Sequence, residues 1–220
     1  MTPWLTRNVK LLSAVSFAQD AASELLYPIM PIVLTTMLGA PPAIVGVIEG
    51  IAEGAAALLK YLSGRLSDRF GRKPAIITGY GLAAFGKLLV AAATAWPVLL
   101  VGRVVDRVGK GVRGAPRDAL LVDGVERSQL GKVFGFHRVA DNFGAVVGPA
   151  LGLLVLTLAH NNLRLALWIA VIPAAMSVVL TLPVKDSSST HVRQERGAAT
   201  PLPRTARSLA FLLGVIALVN

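Results

Sequence analysis

The chain contains no cysteine among its 220 residues. Disulfides, thiolate metal sites, CxxC redox motifs and haem attachment are therefore excluded, and redox chemistry says nothing about the compartment. Charge is scarce as well: 15% of residues are Asp, Glu, Lys or Arg, against about 25% in a usual soluble domain. With 54% apolar residues and a mean hydropathy of +0.64, the composition is that of a membrane protein. Histidine is rare, and His137, His160 and His191 lie far apart, which argues against a histidine metal cluster. No sizeable water-soluble domain fits beside six spans of roughly 20 residues each.

What is present is a series of apolar runs at residues 11–38, 44–62, 75–95, 97 to about 110, 134–159 and 165–182. They predict six membrane spans in an all-α, multi-pass transmembrane helix bundle. The fourth run is the weakest, because Arg103 and Asp106 interrupt it. Arg7 and Lys10 before the first run could suggest a signal peptide. That run is too long, however, carries Asp20 and Glu24, and lacks an obvious small-residue cleavage site, so it is expected to be an uncleaved span. Residues 1–186 make up the six-span unit, and 187–207 form a polar linker with little capacity to bury a core. Residues 208–220 begin a seventh apolar run that stops short of the roughly 20 residues needed to cross.

The formal net charge is +10, from 22 Lys and Arg against 12 Asp and Glu. In a soluble chain that balance would suggest nucleic acid. Position argues otherwise. With the amino terminus cytoplasmic, the outer loops carry only Arg164, while Lys60, Lys87 and Arg103 lie within spans and every other basic residue falls on the inner side. The positive-inside rule then places both Met1 and the linker in the cytoplasm, and attraction to an anionic inner leaflet accounts for the charge. The expected setting is the cytoplasmic membrane, with the lipid bilayer as partner and no nucleic acid.

Two motifs are informative. Between the second and third runs lies Gly64-Arg65-Leu66-Ser67-Asp68-Arg69-Phe70-Gly71-Arg72-Lys73. Its glycines permit a tight turn between antiparallel helices, Pro74 suits the first turn of the next helix, and Asp68 can pair with guanidinium groups or cap a helix end. A generic basic turn explains the arginines but neither Asp68 nor the glycine spacing. The segment resembles the G-x-L-a-D-R-x-G-R-K signature of the major facilitator superfamily, and every defining position matches. In the fifth run, Gly144, Gly148 and Gly152 form a smooth stripe for close helix approach, and Pro149 bends the helix. This stripe resembles the family's fifth-helix motif G-x-x-x-G-P-x-x-G-G, associated with exporters that exchange substrate for protons, although Leu153 replaces the last glycine.

The resemblance implies the amino-terminal six-helix half of a twelve-helix transporter, with a gating motif at Gly64, Asp68, Arg69, Gly71, Arg72 and Lys73. It further implies a small-solute substrate, protons as a coupling ion for antiport, a second six-helix half as partner, and alternating access around a midplane site. It places the family's fourth-helix arginine most naturally at Arg103. A non-transporting half-protein or scaffold, and a homodimeric half-transporter, stay open beside this.

Residues 103, 106, 107 and 110 share one helical face, giving a charged stripe that runs into an expected exit loop at 111–118. Gly109, Gly111 and Gly114 also satisfy G-x-G-x-x-G, but no strand or βαβ unit precedes them, and Gly102 to Lys110 misses phosphate-loop spacing. No cofactor, metal site or nucleophilic triad is expected, so an enzyme has no positive support. A rise of about 1.5 Å per residue places Glu24, Glu53 and Lys87 near the bilayer middle. Intramembrane charges line a cavity or pair with one another, which makes Asp20, Glu24, Glu49, Glu53, Lys87, Arg103 and Asp141 the candidate substrate and proton pathway. Glu24 is the expected proton carrier, Glu53 with Lys87 the expected structural pair, and His137 with Asp141, one turn apart, a candidate relay.

Overall fold

The computed structural model describes residues 4–186, without the side chains of residues 65, 66 and 68–70. The expected linker at 187–207 and seventh run at 208–220 lie outside the described residues. Six long helices account for most of the chain, with no strand among the described residues. They are α1 (Arg7–Leu26), α2 (Pro42–Phe70), α3 (Arg72–Ala92), α4 (Trp96–Leu121), α5 (Leu130–Leu158) and α6 (Leu163–Thr181).

Local chemistry sets the boundaries. Thr6 caps α1 by accepting from Val9 N at 3.3 Å, as an N-cap hydroxyl should. Past Leu26 the helix does not continue unchanged, as one run from 11 to 38 would require. Pro28 and Pro31 remove two backbone donors, and the chain passes through a 3-10 turn, Tyr27–Ile29, and a π turn, Val33–Met37. Thr35 and Thr36 satisfy the carbonyls of Pro31 and Ile32 at 2.8 and 2.7 Å. Between α2 and α3 the chain turns at Gly71, whose φ of 95° is open to glycine and strained for other residues. Asn162 caps α6 by accepting from Leu165 N at 3.1 Å.

One expectation needs correction. The segment 111–118 is not an exit loop: α4 runs unbroken to Leu121, with Pro116 inside it. Gly102, Gly109 and Gly111 of this helix serve close approach instead of turning. A Cβ at Gly111 would stand 2.6 Å from Ala56 O of α2, and one at Gly102 would stand 2.8 Å from Gly86 O of α3. Helix α4 is thus held between α2 and α3, α1 lies between α5 and α6, and α6 joins the two groups by packing on α3 as well. On the other side, Gly144 and Gly148 bring α5 onto α1, where an added Cβ would meet Phe17 O at 2.6 Å and Ala21 O at 2.7 Å.

Two apolar clusters close the ends of the bundle. One gathers Leu25, Met30, Ile48, Leu99 and Leu167; the other gathers Val9, Leu12, Tyr80, Leu120 and Val133. The outside is apolar too, with Leu158 72% and Tyr61 71% exposed, a surface suited to lipid rather than water. Four stretches, Pro42–Gly64, Arg72–Ala92, Arg127–Leu158 and Leu163–Thr181, are long and apolar enough to cross a membrane. The two long helices outside that set, α1 and α4, carry most of the polar layer between the apolar clusters, and α2 and α3 complete it.

Candidate functional site

That polar layer is built from α4 outward. Arg103 is 1% exposed, and its guanidinium grips Glu49 of α2 with two donors: Nε to Oε1 at 3.0 Å, and Nη2 to Oε1 and Oε2 at 2.7 Å each. One turn further on, Arg107 Nε lies 2.9 Å from Glu53 Oε1. Glu49 and Glu53 are four residues apart on α2, and Arg103 and Arg107 are four apart on α4, so the helices are joined by two parallel rungs. Asp106 completes the group, with Lys87 Nζ of α3 at 2.7 Å from its Oδ1 and Arg103 Nη1 at 3.8 Å from its Oδ2.

Depth along the helices suggested Glu53 for Lys87, and the structure corrects this pairing. Lys87 projects from α3 towards α4 and is taken by Asp106, while Glu53 faces Arg107. Depth sets which residues lie level; helix rotation decides which of them meet. Every member of this cluster except Glu49 and Glu53 is buried. Buried charges persist when paired, and this set satisfies the condition.

The acids of α1 are placed differently. Asp20 and Glu24 are both half-buried, and neither makes a hydrogen bond or ion pair among the described residues. Asp20 lies within electrostatic reach of Lys110, Arg113 and Arg117 of α4 and Asp141 of α5. Asp141 stands 3.6 Å from His137 Nε2 and 3.8 Å from Arg138 Nη1. The other ring nitrogen of His137 faces Ser13 Oγ of α1 at 3.3 Å. The His137 and Asp141 pair therefore sits at the α1–α5 contact.

Several polar contacts have no signal in the sequence spacing. Arg113 lies over the Tyr80 ring at 4.5 Å from its centroid. Tyr80 OH is 3.3 Å from Ser16 Oγ, which also accepts from Arg117 Nη1 at 3.1 Å. Gln19 of α1 faces Ser177 of α6, with Oε1 and Oγ 3.0 Å apart. Arg164, in the first turn of α6, donates to Ala91 O and Ala93 O at 2.8 and 2.6 Å and so caps the end of α3.

Around the α2–α3 turn, the side chains of Asp68 and Arg69 are outside the description. Lys73 is not. Its backbone N donates to Asp186 Oδ2 at 3.2 Å, and its Nζ donates to Leu182 O at 2.8 Å. The turn is thereby tied to the end of α6. Beside it, Asn8 Nδ2 donates to Lys185 O at 2.7 Å and Asn8 Oδ1 accepts from Lys185 N at 3.1 Å. No group of three or more His, Asp or Glu residues suited to a metal ion occurs among the described residues.

Comparison with known proteins fits this architecture. The family model described as Major Facilitator Superfamily matches residues 12–219. An uncharacterized MFS-type transporter of Methanocaldococcus jannaschii is 30% identical over 98% of this chain and 54% of its own length. The inner membrane transport protein YajR of Escherichia coli is 28% identical over 87% of this chain and 41% of its own. Among solved structures, a POT family transporter in complex with 5-aminolevulinic acid superimposes with a TM-score of 0.72 at 15% identity, covering 97% of this chain and 45% of that one. The chain spans about half the length of the curated relatives it matches.

Proposed function

The chain belongs to the major facilitator superfamily, and from that membership we propose that it forms the amino-terminal, six-helix half of a secondary active transporter. This membrane protein acts with a second six-helix half, joined to it through the cytoplasmic linker at 187–207 and a further span beginning near 208. A small solute crosses the cytoplasmic membrane by alternating access, its site lying between the halves. Met1 and the linker face the cytoplasm, as the distribution of basic residues favours.

The observation that supports this reading best is the polar layer itself. Two helices give up the apolarity of a simple span to hold Asp20, Glu24, Arg103, Asp106 and Arg107 between apolar clusters. A protein that only occupied the bilayer would have no use for such costly groups. The paired charges, Glu49 with Arg103, Glu53 with Arg107 and Lys87 with Asp106, hold the wall of the pathway. The unpaired Glu24 is the proton carrier, because a carboxylate locked to a cation cannot exchange its proton. Proton-coupled export is the direction favoured by the likeness of Gly144, Gly148, Pro149 and Gly152 to the exporter motif.

The test is Glu24→Gln in vesicles that contain this half assembled with a second half. Wild-type assemblies should drive solute movement from an imposed pH gradient; the variant should lose gradient-driven movement and retain solute exchange. Persistence of gradient-driven transport in Glu24→Gln removes the carrier role from this residue.

A further inference from the structure

Along one face of α4 stand Arg103, Arg107, Lys110, Arg113 and Arg117. The first two each hold a carboxylate from α2. Arg113 holds none among the described residues, although it is only 4% exposed, and its Nη1 is buried without an acceptor. Lys110, one turn earlier and exposed, also forms no ion pair among the described residues. Arg117 is engaged by its neighbour Asp118 at 3.0 Å and by Ser16 Oγ at 3.1 Å. The carboxylate of α1 within reach of all three cations, Asp20, pairs with none of them.

An unpaired buried guanidinium is expensive, and arginine cannot escape the cost by losing its proton. Tyr80 covers one face of the Arg113 guanidinium, and Ser16 in turn faces the Tyr80 hydroxyl at 3.3 Å. The plane of the guanidinium is therefore set, and Nη1 on its edge is left without an acceptor. An oxyanion is the ligand that satisfies such an edge, through two parallel charge-assisted hydrogen bonds. A neutral solute could offer an acceptor without the charge and so bind more weakly, and a cation would be repelled.

We propose that Arg113, with Lys110 and Arg117, forms a subsite for the oxyanion end of an organic solute, and that Asp20 is its internal competitor. The proposal rests on the transport reading, which supplies the reason for a solute to visit the site, and it narrows the substrate to organic anions. Tyr80 acts as a positioning residue that fixes the guanidinium plane. Asp20 occupies the field of the cations when no solute is bound, and the solute must displace its influence.

The experiment is calorimetric titration of the purified full chain in detergent with sodium benzoate, with benzamide as the neutral isostere. Benzoate should bind saturably and benzamide more weakly. Hydrogen bonds to charged groups are strong enough that Arg113→Gln should weaken benzoate by about tenfold or more. Lys110→Gln, at an exposed position that tolerates change, should weaken it less, and serves if Arg113→Gln fails to fold. Asp20→Asn should tighten benzoate binding, a sign that mere structural damage would not give, while Lys132→Gln should leave it unchanged. Equal binding of benzoate and benzamide overturns the assignment, as does wild-type affinity in both cation variants or weaker binding in Asp20→Asn. If benzoate binds as expected but assembled vesicles move no solute, the transport reading fails and the subsite stands. If neutral solutes are transported by a chain that does not bind benzoate, the subsite fails and the transport reading stands.

Discussion

Arg103 of α4 and Glu49 of α2 form a two-pronged ion pair in which the guanidinium is 1% exposed and the carboxylate 26%. The pair is lopsided: the cation is sealed inside the bundle, while its anion reaches the edge. Removing the anion leaves the guanidinium buried with only the more distant carboxylate of Asp106, at 3.8 Å, beside it. Glu49→Gln should therefore lower the unfolding free energy in detergent by about 2 kcal/mol, the scale of a hydrogen bond to a charged group. The double variant Glu49→Gln with Arg103→Gln should lose less than the sum of the singles. Additive losses would show that the two side chains do not act together.

The α1–α5 contact predicts a contrast between glycines of one helix. A Cβ at Gly148 would come 2.7 Å from Ala21 O, whereas one at Gly135 would meet nothing within 4 Å. Gly148→Ala should destabilise by about 1–3 kcal/mol through overpacking against backbone. Gly135→Ala should be neutral to stabilising, by up to about 1 kcal/mol. Thermal unfolding of the two variants side by side checks this, and equal effects would remove the steric account.

Orientation is open to labelling, because the natural chain offers no cysteine. Single cysteines replacing Asn161 and Ser188 should differ in intact cells, with the first modified by a membrane-impermeant thiol reagent and the second protected. Equal modification would reverse or abolish the proposed topology.

Asp68 is proposed to act through its charge. Asp68→Asn keeps the size and removes the charge-assisted hydrogen bonds, so in a transport-competent assembly it should slow transport by about tenfold or more. Insertion should be intact, since acidic residues contribute little to orientation. Wild-type transport would leave the α2–α3 turn as a topological signal alone.

The family and the helical class were legible in the sequence because each depends on local pattern. The partners of the charges were not. Lys87 pairs with Asp106 instead of Glu53 because α3 is rotated towards α4, and rotation is settled by glycines such as Gly86 and Gly102, whose role as contact points is invisible until both helices are seen. The same cause hid the helical continuation through 111–118: the segment reads as an exit loop, yet Gly111 within it is a site of close approach to α2, as Gly109 just before it is to α3. Arg113 could have been noticed as a charge on the polar face of α4, but its stacking on Tyr80 and its missing carboxylate have no spacing signal.

The clasp between Asn8 and Lys185 ties the beginning of α1 to the residues just after α6. Its two halves are made 177 residues apart in synthesis. While the ribosome is still producing α2 to α5, Asn8 has no Lys185 to meet, and the carbonyls of Ala91 and Ala93 likewise wait for Arg164. Closure of this six-helix bundle is thus settled only when α6 has been delivered. A polypeptide interrupted before α6 would hold its helices in the bilayer with both fastenings open.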